Sequence, residues 1–215
     1  MKKAILIVFL VLLADQVLKI WVKTHMTLGQ EINVAGNWFI FHFTENEGMA
    51  FGLTFGGSAG KLVLSIFRII AVIFIGFYIY LLRKKSPHPG LVISFSLIMA
   101  GALGNIIDSA VYGLIFNESS YHTVSTLFPP EGGYASFLHG KVVDILYFPV
   151  IETTLPGWFP FWGGEPFTFF RPVFNIADAS ITSGVVLLLI FQKKFFPKKE
   201  AVETSIPESD SSVTN

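Results

Sequence analysis

Long apolar stretches alternate with polar segments along the chain, and four of these stretches have the length of a membrane-spanning helix. A helix needs about 20 mostly apolar residues to cross a bilayer. The predicted spans are residues 4–22, 62–82, 91–116 and 174–191. They predict an all-α membrane domain with four transmembrane helices over residues 1–197. The polar segment 198–215, rich in Ser, Thr and Glu, predicts a disordered tail.

The composition supports a bilayer environment. Hydrophobic residues make up 52% of the chain and charged residues only 14%, whereas a soluble domain carries about 25% charged residues. The net charge is zero, so nothing points to a nucleic-acid partner. The sequence contains no cysteine, which excludes disulfides, a thiol nucleophile and thiolate metal sites.

The first apolar stretch also fits the start of a cleavable signal peptide, since Lys2 and Lys3 precede an apolar run that reaches Ala14. The apolar character resumes after Asp15, which favours a permanent span.

The positions of the basic residues predict the orientation, because cytoplasmic loops are enriched in Lys and Arg. Basic clusters precede the first span, follow the second and follow the fourth. We therefore expect a membrane protein with both termini in the cytoplasm. The loops 23–61 and 117–171 then lie outside, and the tail lies inside.

Both outer loops carry signs of structure. Residues 38–43 form a β-prone run and precede a turn-like segment, 45–48, which predicts a small extracytoplasmic β-sheet element. Residues 157–170 are rich in Trp and Phe, as interfacial segments are, and prolines prevent a long helix there. This segment is predicted to be an interfacial aromatic loop. A packed hydrophobic loop without function is the alternative.

Polar residues inside the predicted spans are the candidates for function, because they are costly in a membrane. Asp15 and Lys19 lie four residues apart and share a helix face. Asn105 lies three residues before Asp108, and the same spacing recurs in the fourth span between Asn175 and Asp178. For the Asp15–Lys19 pair, a purely structural ion pair is the alternative.

Three carboxylates, those of Asp108, Asp144 and Asp178, are predicted near the outer membrane boundary. Two neighbouring carboxylates in a low-dielectric site tend to share one proton. One can then take a proton from water while the other donates to a carbonyl oxygen. This chemistry is that of an aspartic protease and needs no metal or cofactor. The spacing does not establish which of the carboxylates touch.

Five short motifs in order along the chain resemble those of the lipoprotein signal peptidases, also called signal peptidase II. They are D-Q-V-L-K at 15–19, N-E-G-M-A-F-G at 46–52, G-N-I-I-D at 104–108, V-V-D at 142–144 and F-N-I-A-D-A-S-I at 174–181. The resemblance extends over residues 4–191, nearly everything except the tail.

The resemblance implies an aspartic endopeptidase that removes the signal peptide from diacylglyceryl-modified prolipoproteins. It implies that Asp144 and Asp178 are catalytic. It also implies a location in the bacterial inner membrane, membrane lipids as partners, and inhibitors of the globomycin type that occupy the same cleft. The residues that it implies to shape the site are Asp15, Lys19, Asn46, Gly48, Asn105, Asp108, Asn175 and Ala177.

The chain departs from the family pattern in two places. The family usually has an arginine after the aspartate of G-N-x-x-D, where this chain has Ser109. Arg171, Lys141 and Arg68 are the candidates to supply the missing positive charge. The segments that separate Asp108, Asp144 and Asp178 are also longer than expected, which predicts insertions near the entrance of the site.

The sequence was also compared with the patterns of serine enzymes, zinc peptidases and small membrane transporters, which it fits less well. Residues 56–60 fit G-x-S-x-G, but no strand precedes them, so a flexible loop is the simpler interpretation than a serine nucleophile. No H-E-x-x-H motif is present. A small transporter or membrane binding protein with buried carboxylates is the alternative from outside the enzymes.

Overall fold

The computed structural model describes residues 2–47, 57–85, 87–149, 151–169 and 172–197. Most of these residues are helical, and the helices are α1 (Lys2–His25), α2 (Gly57–Leu82), α3 (Pro89–Ile107), α4 (Gly113–Ile115), α5 (Ile176–Ile190) and α6 (Gln192–Phe195). A π-helical turn, Asp108–Tyr112, joins α3 to α4. The predicted tail, the motif residue Gly48 and the candidate cation Arg171 lie outside the described residues.

The helices are apolar on the outside and polar within. Among the described helices, three are long and apolar enough to cross a membrane: α1, α2 and the continuous stretch Pro89–Ile115. The apolar helix α5 is shorter, with 15 residues. Large apolar side chains such as Phe9, Phe74 and Leu189 are exposed, whereas Asp15 and Lys19 are buried. This inverted pattern is the one that a lipid solvent selects.

Helix α3 is the centre of the bundle, since α1, α2 and α5 all pack against it. Glycines let α5 approach closely. A Cβ atom at Gly101 would lie 2.1 Å from the carbonyl oxygen of Ala177, and one at Gly184 would lie 2.6 Å from that of Ser94. Small residues allow such close helix contacts in membranes. The contact brings the polar ends of α3 and α5 together.

A three-stranded antiparallel sheet caps the end of the bundle at which α1 ends. Its strands are β1 (Glu31–Ala35), β2 (Phe39–Asn46) and β3 (Val142–Tyr147), in the order β1-β2-β3. Thr44 pairs with Asp144, and Asn46 pairs with Val142. Phe43, Val143 and Ile145 are fully buried against Val22 of α1 and Tyr112 of the π-helical turn. This core fixes the sheet on the helices.

The structure confirms the predicted sheet but corrects the sequence analysis at three points. β2 continues through Asn46, so the first half of the segment predicted as turn-like is a strand. β3 (Val142–Tyr147) was not predicted from the sequence. The G-x-S-x-G serine, Ser58, lies in the first turn of α2, which begins at Gly57, so residues 57–60 are helical and not part of a loop.

A second, two-stranded sheet carries the aromatic segment. Strands β4 (Ile151–Thr154) and β5 (Pro166–Phe169) pair as an antiparallel hairpin. Its connecting loop holds Trp158, Phe161 and Trp162, of which Phe161 is 93% exposed. The exposed rings agree with the predicted interfacial aromatic loop.

Candidate active site

A buried ammonium group organises the contact between α1 and α3. The Nζ atom of Lys19 lies 2.9 Å from Asp15 Oδ2 and 2.8 Å from Asp108 Oδ2. It also donates a hydrogen bond of 3.3 Å to Asn105 Oδ1. Lys19 is completely buried, and both carboxylates are at most 1% exposed. The predicted Asp15–Lys19 pair is therefore part of a larger cluster with one cation and two carboxylates.

Gln16 completes this cluster, although the sequence analysis did not select it. Its Nε2 group donates to Asp15 Oδ2 at 3.1 Å and to Asp108 Oδ1 at 3.0 Å. Its Oε1 atom accepts from the Tyr112 hydroxyl at 3.1 Å. Its position inside the D-Q-V-L-K motif would have been the reason to select Gln16 from the sequence. Gln16 therefore gives the Asp15 and Asp108 carboxylates an uncharged hydrogen-bond donor in addition to the ammonium group of Lys19.

The same cluster holds the beginning of α5. Asp15 Oδ1 accepts a 2.9 Å hydrogen bond from the backbone N–H of Ala177. Gly104 provides the necessary space, because a Cβ atom there would lie 2.8 Å from Asp15 Oδ2 and 3.1 Å from Ala177 Cβ. Asp108 Oδ2 accepts from the N–H of Val143 at 3.2 Å. The two carboxylates thus fix α5 and β3 to the helices.

Asp178 lies in the first turn of α5, beyond the N-cap residue Asn175. The backbone N–H of Asp178 donates to Asn175 Oδ1 at 2.8 Å, as in a standard N-cap. The side chain of Asn105 donates to Asp178 Oδ1 at 2.8 Å. A carboxylate in the first turn also interacts favourably with the helix dipole. These contacts fix the Asp178 carboxyl group at the amino end of α5.

Asp144 lies on β3 and is only 4% exposed. Asn175 Nδ2 donates to its Oδ1 at 2.8 Å, and Asn46 Nδ2 donates to its Oδ2. Burial of the carboxyl, together with the negative charge of Asp178, raises the pKa of Asp144 to about 7. The hydrogen bonds from Asn46 and Asn175 act in the opposite direction. Near neutral pH, the Asp144 carboxyl is therefore present in both protonation states.

Asn175 connects the two aspartates. Its Oδ1 accepts from the backbone of Asp178, while its Nδ2 donates to Asp144 and also lies 3.3 Å from Asn105 Oδ1. Among the described residues, no buried side-chain nitrogen or oxygen lacks a hydrogen-bond partner. The carboxamides therefore hold both carboxyl groups in fixed orientations, although their sequence positions are 34 residues apart.

The structure brings together nearly all of the site residues selected from the sequence. One connected network contains Asp15, Lys19, Asn46, Asn105, Asp108, Asp144, Asn175, Ala177 and Asp178. Within the described part of the chain, no group of three or more Asp, Glu or His side chains could hold a metal ion.

A guanidinium group also acts on this site. Arg68 of α2 is half-buried and interacts electrostatically with Asp178, Asp108 and Asp144. Lys141, another candidate, is engaged elsewhere, with its Nζ 3.1 Å from Glu118 Oε1. Ser109 is 2% exposed and donates to the carbonyl oxygen of Asn105 at 3.0 Å, so a long side chain has no room there.

A second buried cation, Lys23, binds the loop that follows α4, and it was not among the residues selected from the sequence. Lys23 is completely buried, forms an ion pair with Glu45 of β2, and donates to Ser119 Oγ at 2.8 Å. Its Nζ lies 5.1 Å from the centre of the Phe116 ring and 5.4 Å from that of Tyr134. Lys23 follows Lys19 by one helical turn, so the two lysines share a helix face, and this spacing would have been the reason to select Lys23 from the sequence.

The fold resembles solved structures of bacterial membrane enzymes. One, determined by the in meso method at 2.3 Å resolution, is 25% identical and superposes with a TM-score of 0.60, over 94% of this chain and 96% of that one. Another, determined at 1.9 Å, is 26% identical with a TM-score of 0.56, over 91% of this chain and 96% of that one. The bundle and its polar site thus define a bacterial membrane enzyme.

Sequence relatives identify the kind of enzyme. The lipoprotein signal peptidase of Porphyromonas gingivalis (strain ATCC 33277) is 53% identical over 188 residues, 86% of this chain and 80% of that protein. That of Amoebophilus asiaticus (strain 5a2) is 37% identical over 209 residues, 95% of this chain and 84% of that protein. Residues 7–194 match the signal peptidase (SPase) II family. The chain belongs to this family of proteases.

Proposed function

We propose that this protein is an intramembrane aspartic endopeptidase that removes the signal peptide from diacylglyceryl-modified prolipoproteins. The observation that carries the proposal is that hydrogen bonds from two linked asparagines hold the two carboxyl groups. Asn175 donates to the Asp144 carboxyl, Asn105 donates to the Asp178 carboxyl, and Asn175 donates to Asn105. The names of its relatives as lipoprotein signal peptidases support the choice of substrate.

Asp178 is the proposed base and Asp144 the proposed acid. The raised pKa of Asp144 keeps a proton available near neutral pH, which leaves Asp178 to act as the base. Asp178 accepts a proton from water as the water oxygen bonds to the scissile carbonyl carbon, and Asp144 protonates the carbonyl oxygen. Asp178 then passes its proton to the leaving amide nitrogen as the carbon–nitrogen bond breaks, and Asp144 takes back a proton from one hydroxyl of the tetrahedral intermediate, which becomes the new carboxyl group.

The substrate is proposed to enter laterally from the outer leaflet, with both termini of the enzyme in the cytoplasm. The acyl chains of the modified cysteine remain in the bilayer, close to the exposed rings of the β4–β5 hairpin. The signal-peptide helix unwinds beside the aspartates, because a helical peptide bond is shielded from attack. Asn46, Asn105 and Asn175 orient the carboxyl groups. Globomycin-type inhibitors are expected to bind in the same cleft.

Cleavage by the purified protein tests this function. We expect it to release the signal peptide from a diacylglyceryl-modified prolipoprotein and to leave the unmodified precursor intact, with products identified by mass spectrometry. Failure of the folded protein to cleave the modified precursor would exclude the peptidase function. Equal cleavage of both precursors would exclude recognition of the lipid.

The pH dependence of cleavage is expected to follow Asp144. Below about pH 7 its carboxyl holds the proton that the mechanism uses, and above that value it loses it. The rate constant kcat/KM should therefore fall as the pH rises through about 7. Arg68→Gln removes a positive charge that attracts the Asp144 carboxylate, so the pKa of Asp144 should rise and the falling limb should move to higher pH.

Two variants make this measurement specific. Arg68→Lys keeps the charge and should leave the falling limb near its original position, whereas Lys85→Gln removes a charge at the other end of α2 and should not shift it. Asp144 should change its protonation state between pH 6 and pH 8. If kcat/KM of the wild type stayed constant over this range, the assignment of Asp144 as the acid would be contradicted.

A further inference from the structure

Two adjoining cavities lie between α1, α2 and the beginning of α3, at the end of the bundle opposite the aspartates. The outer one, of about 390 Å³, opens at Lys3 and Arg83. The inner one, of about 320 Å³, lies further along α1, towards the middle of the bundle. Ile79 of α2 lines both cavities. They form one cleft, which we name the α1–α2 cleft.

The inner part of this cleft is apolar. Its walls include Val8 and Phe9 of α1, Gly76 of α2 and Met99 of α3, and every residue that lines it is apolar. From Lys3 to Leu12, which lines its far end, α1 rises by about 14 Å. That depth is close to half of the roughly 30 Å hydrocarbon core of a bilayer. The inner cavity therefore has the polarity and the depth that suit an acyl chain.

The mouth of the cleft is positively charged. Arg83 is held in place by Tyr80, since its guanidinium carbon lies 3.9 Å from the centre of the ring and its Nη2 donates to the hydroxyl at 2.6 Å. Lys3 lies on the α1 side. Pro89, the first residue of α3, also lines the mouth, so the positive end of that helix dipole faces it.

No acidic residue offsets these charges within the chain segments that form this end. Residues 2–13, 76–95 and 185–197 contain several Lys and Arg residues but no Asp or Glu. A guanidinium group binds phosphate through paired hydrogen bonds. Basic pockets between helices on the cytoplasmic side are suited to anionic lipid headgroups.

We propose that the α1–α2 cleft binds one anionic phospholipid, with its phosphate between Lys3 and Arg83 and an acyl chain along Val8, Phe9 and Gly76. In the proposed orientation, this lipid belongs to the cytoplasmic leaflet. The cleft lies at the other end of the bundle from Asp144 and Asp178, so the lipid is separate from the prolipoprotein site. The proposal does not depend on the peptidase function.

The charges argue against a signal peptide as the occupant. A signal peptide begins with a positively charged region before its apolar segment. If its apolar segment filled the inner cavity in the same orientation, its positive region would meet Lys3 and Arg83. A molecule with a negative head and an apolar tail fits both parts of the cleft.

Lipid retention by the full-length protein tests this proposal. The protein is placed in nanodiscs with equal amounts of phosphatidylglycerol and phosphatidylcholine of identical chains, and the retained lipid is measured by native mass spectrometry after transfer to detergent. We expect a preference for phosphatidylglycerol on the order of tenfold, as two near-surface cations provide. The double variant Lys3→Gln/Arg83→Gln should lose this preference.

Matched variants separate the headgroup from the acyl chain. Lys2→Gln/Lys84→Gln removes the same charge from residues that do not line the cleft and should keep the preference. Gly76→Leu should reduce retention of both lipids, because a Cβ atom there meets only Met99, at 3.8 Å, and leaves the added side chain in the cavity. Val63→Leu, on an exposed face of α2, should leave the retention of both lipids unchanged.

Three results would overturn the proposal. They are equal retention of the two lipids by the wild type, equal preference in the two double variants, and unchanged retention in Gly76→Leu. Equal lipid preference in the two double variants would mean either that general surface charge sets the preference or that the acidic tail occupies Lys3 and Arg83.

Discussion

Replacement of Asp144 or Asp178 by asparagine is expected to reduce cleavage of a diacylglyceryl-modified prolipoprotein by about a thousandfold or more. Asparagine has the shape of aspartate but can neither accept a proton from water nor deliver one to the carbonyl oxygen. General acid–base catalysis contributes about a hundredfold to ten-thousandfold in rate. Each variant removes one of the two proton transfers, so kcat should fall much more than KM changes.

The hydrogen bonds around the two groups suggest that both variants fold. In Asp178→Asn, the side-chain oxygen can still accept from Asn105. In Asp144→Asn, one amide donor, from Asn175 or Asn46, loses its acceptor, so a modest loss of thermal stability is expected.

Glu31→Gln provides a matched control, since it neutralises an exposed carboxylate on β1 of the same protein. It should cleave at the wild-type rate. If both aspartate variants retained activity while folded, the dyad assignment would be wrong. If only one variant lost activity, that carboxyl group alone would be responsible for the chemistry.

Lys19→Met is expected to give the largest loss of stability. It leaves Asp15 and Asp108 buried without their shared cation, and removal of one partner from a buried ion pair costs about 3–5 kcal/mol. Both carboxylates also hold backbone N–H groups of Ala177 and Val143, so α5 and β3 should loosen together. Thermal unfolding in a fixed detergent measures the effect.

A compensating variant distinguishes charge from packing. When Asp15→Asn and Asp108→Asn are combined with Lys19→Met, no uncompensated charge remains, and much of the lost stability should return. Lys2→Met, at an exposed position of the same helix, should change little. If the triple variant were no more stable than Lys19→Met, the cluster would act through shape and not through charge.

The sequence predicted the apolar helices because lipid-facing residues must be apolar along their whole length. It also predicted most of the polar network, because polar groups inside such helices stand out. Asp15 and Lys19 illustrate this, since their four-residue spacing places them on one face. The ion pair between Lys19 and Asp108 could not be predicted from spacing, because it depends on how α1 packs against α3.

The strand β3 shows where sequence patterns fail. Val142, Val143, Asp144 and Ile145 are all buried, so the strand lacks the alternation of apolar and polar residues by which a half-exposed strand is recognised. Its partner β2 lies about a hundred residues earlier, and the pairing joins Thr44 to Asp144. Lys23 was missed for a related reason, because Glu45, Phe116 and Ser119 meet it only in the folded chain.

The aromatic hairpin has a practical consequence for spectroscopy. The chain has four tryptophans, and Trp158 and Trp162 are on the loop of this hairpin. Trp38 lies between β1 and β2, and Trp21 stacks on His25 at the end of α1. All four indole rings are therefore at the sheet end of the molecule. Quenching of their natural emission by brominated lipids would report how deeply that end sits in its leaflet, without any added label.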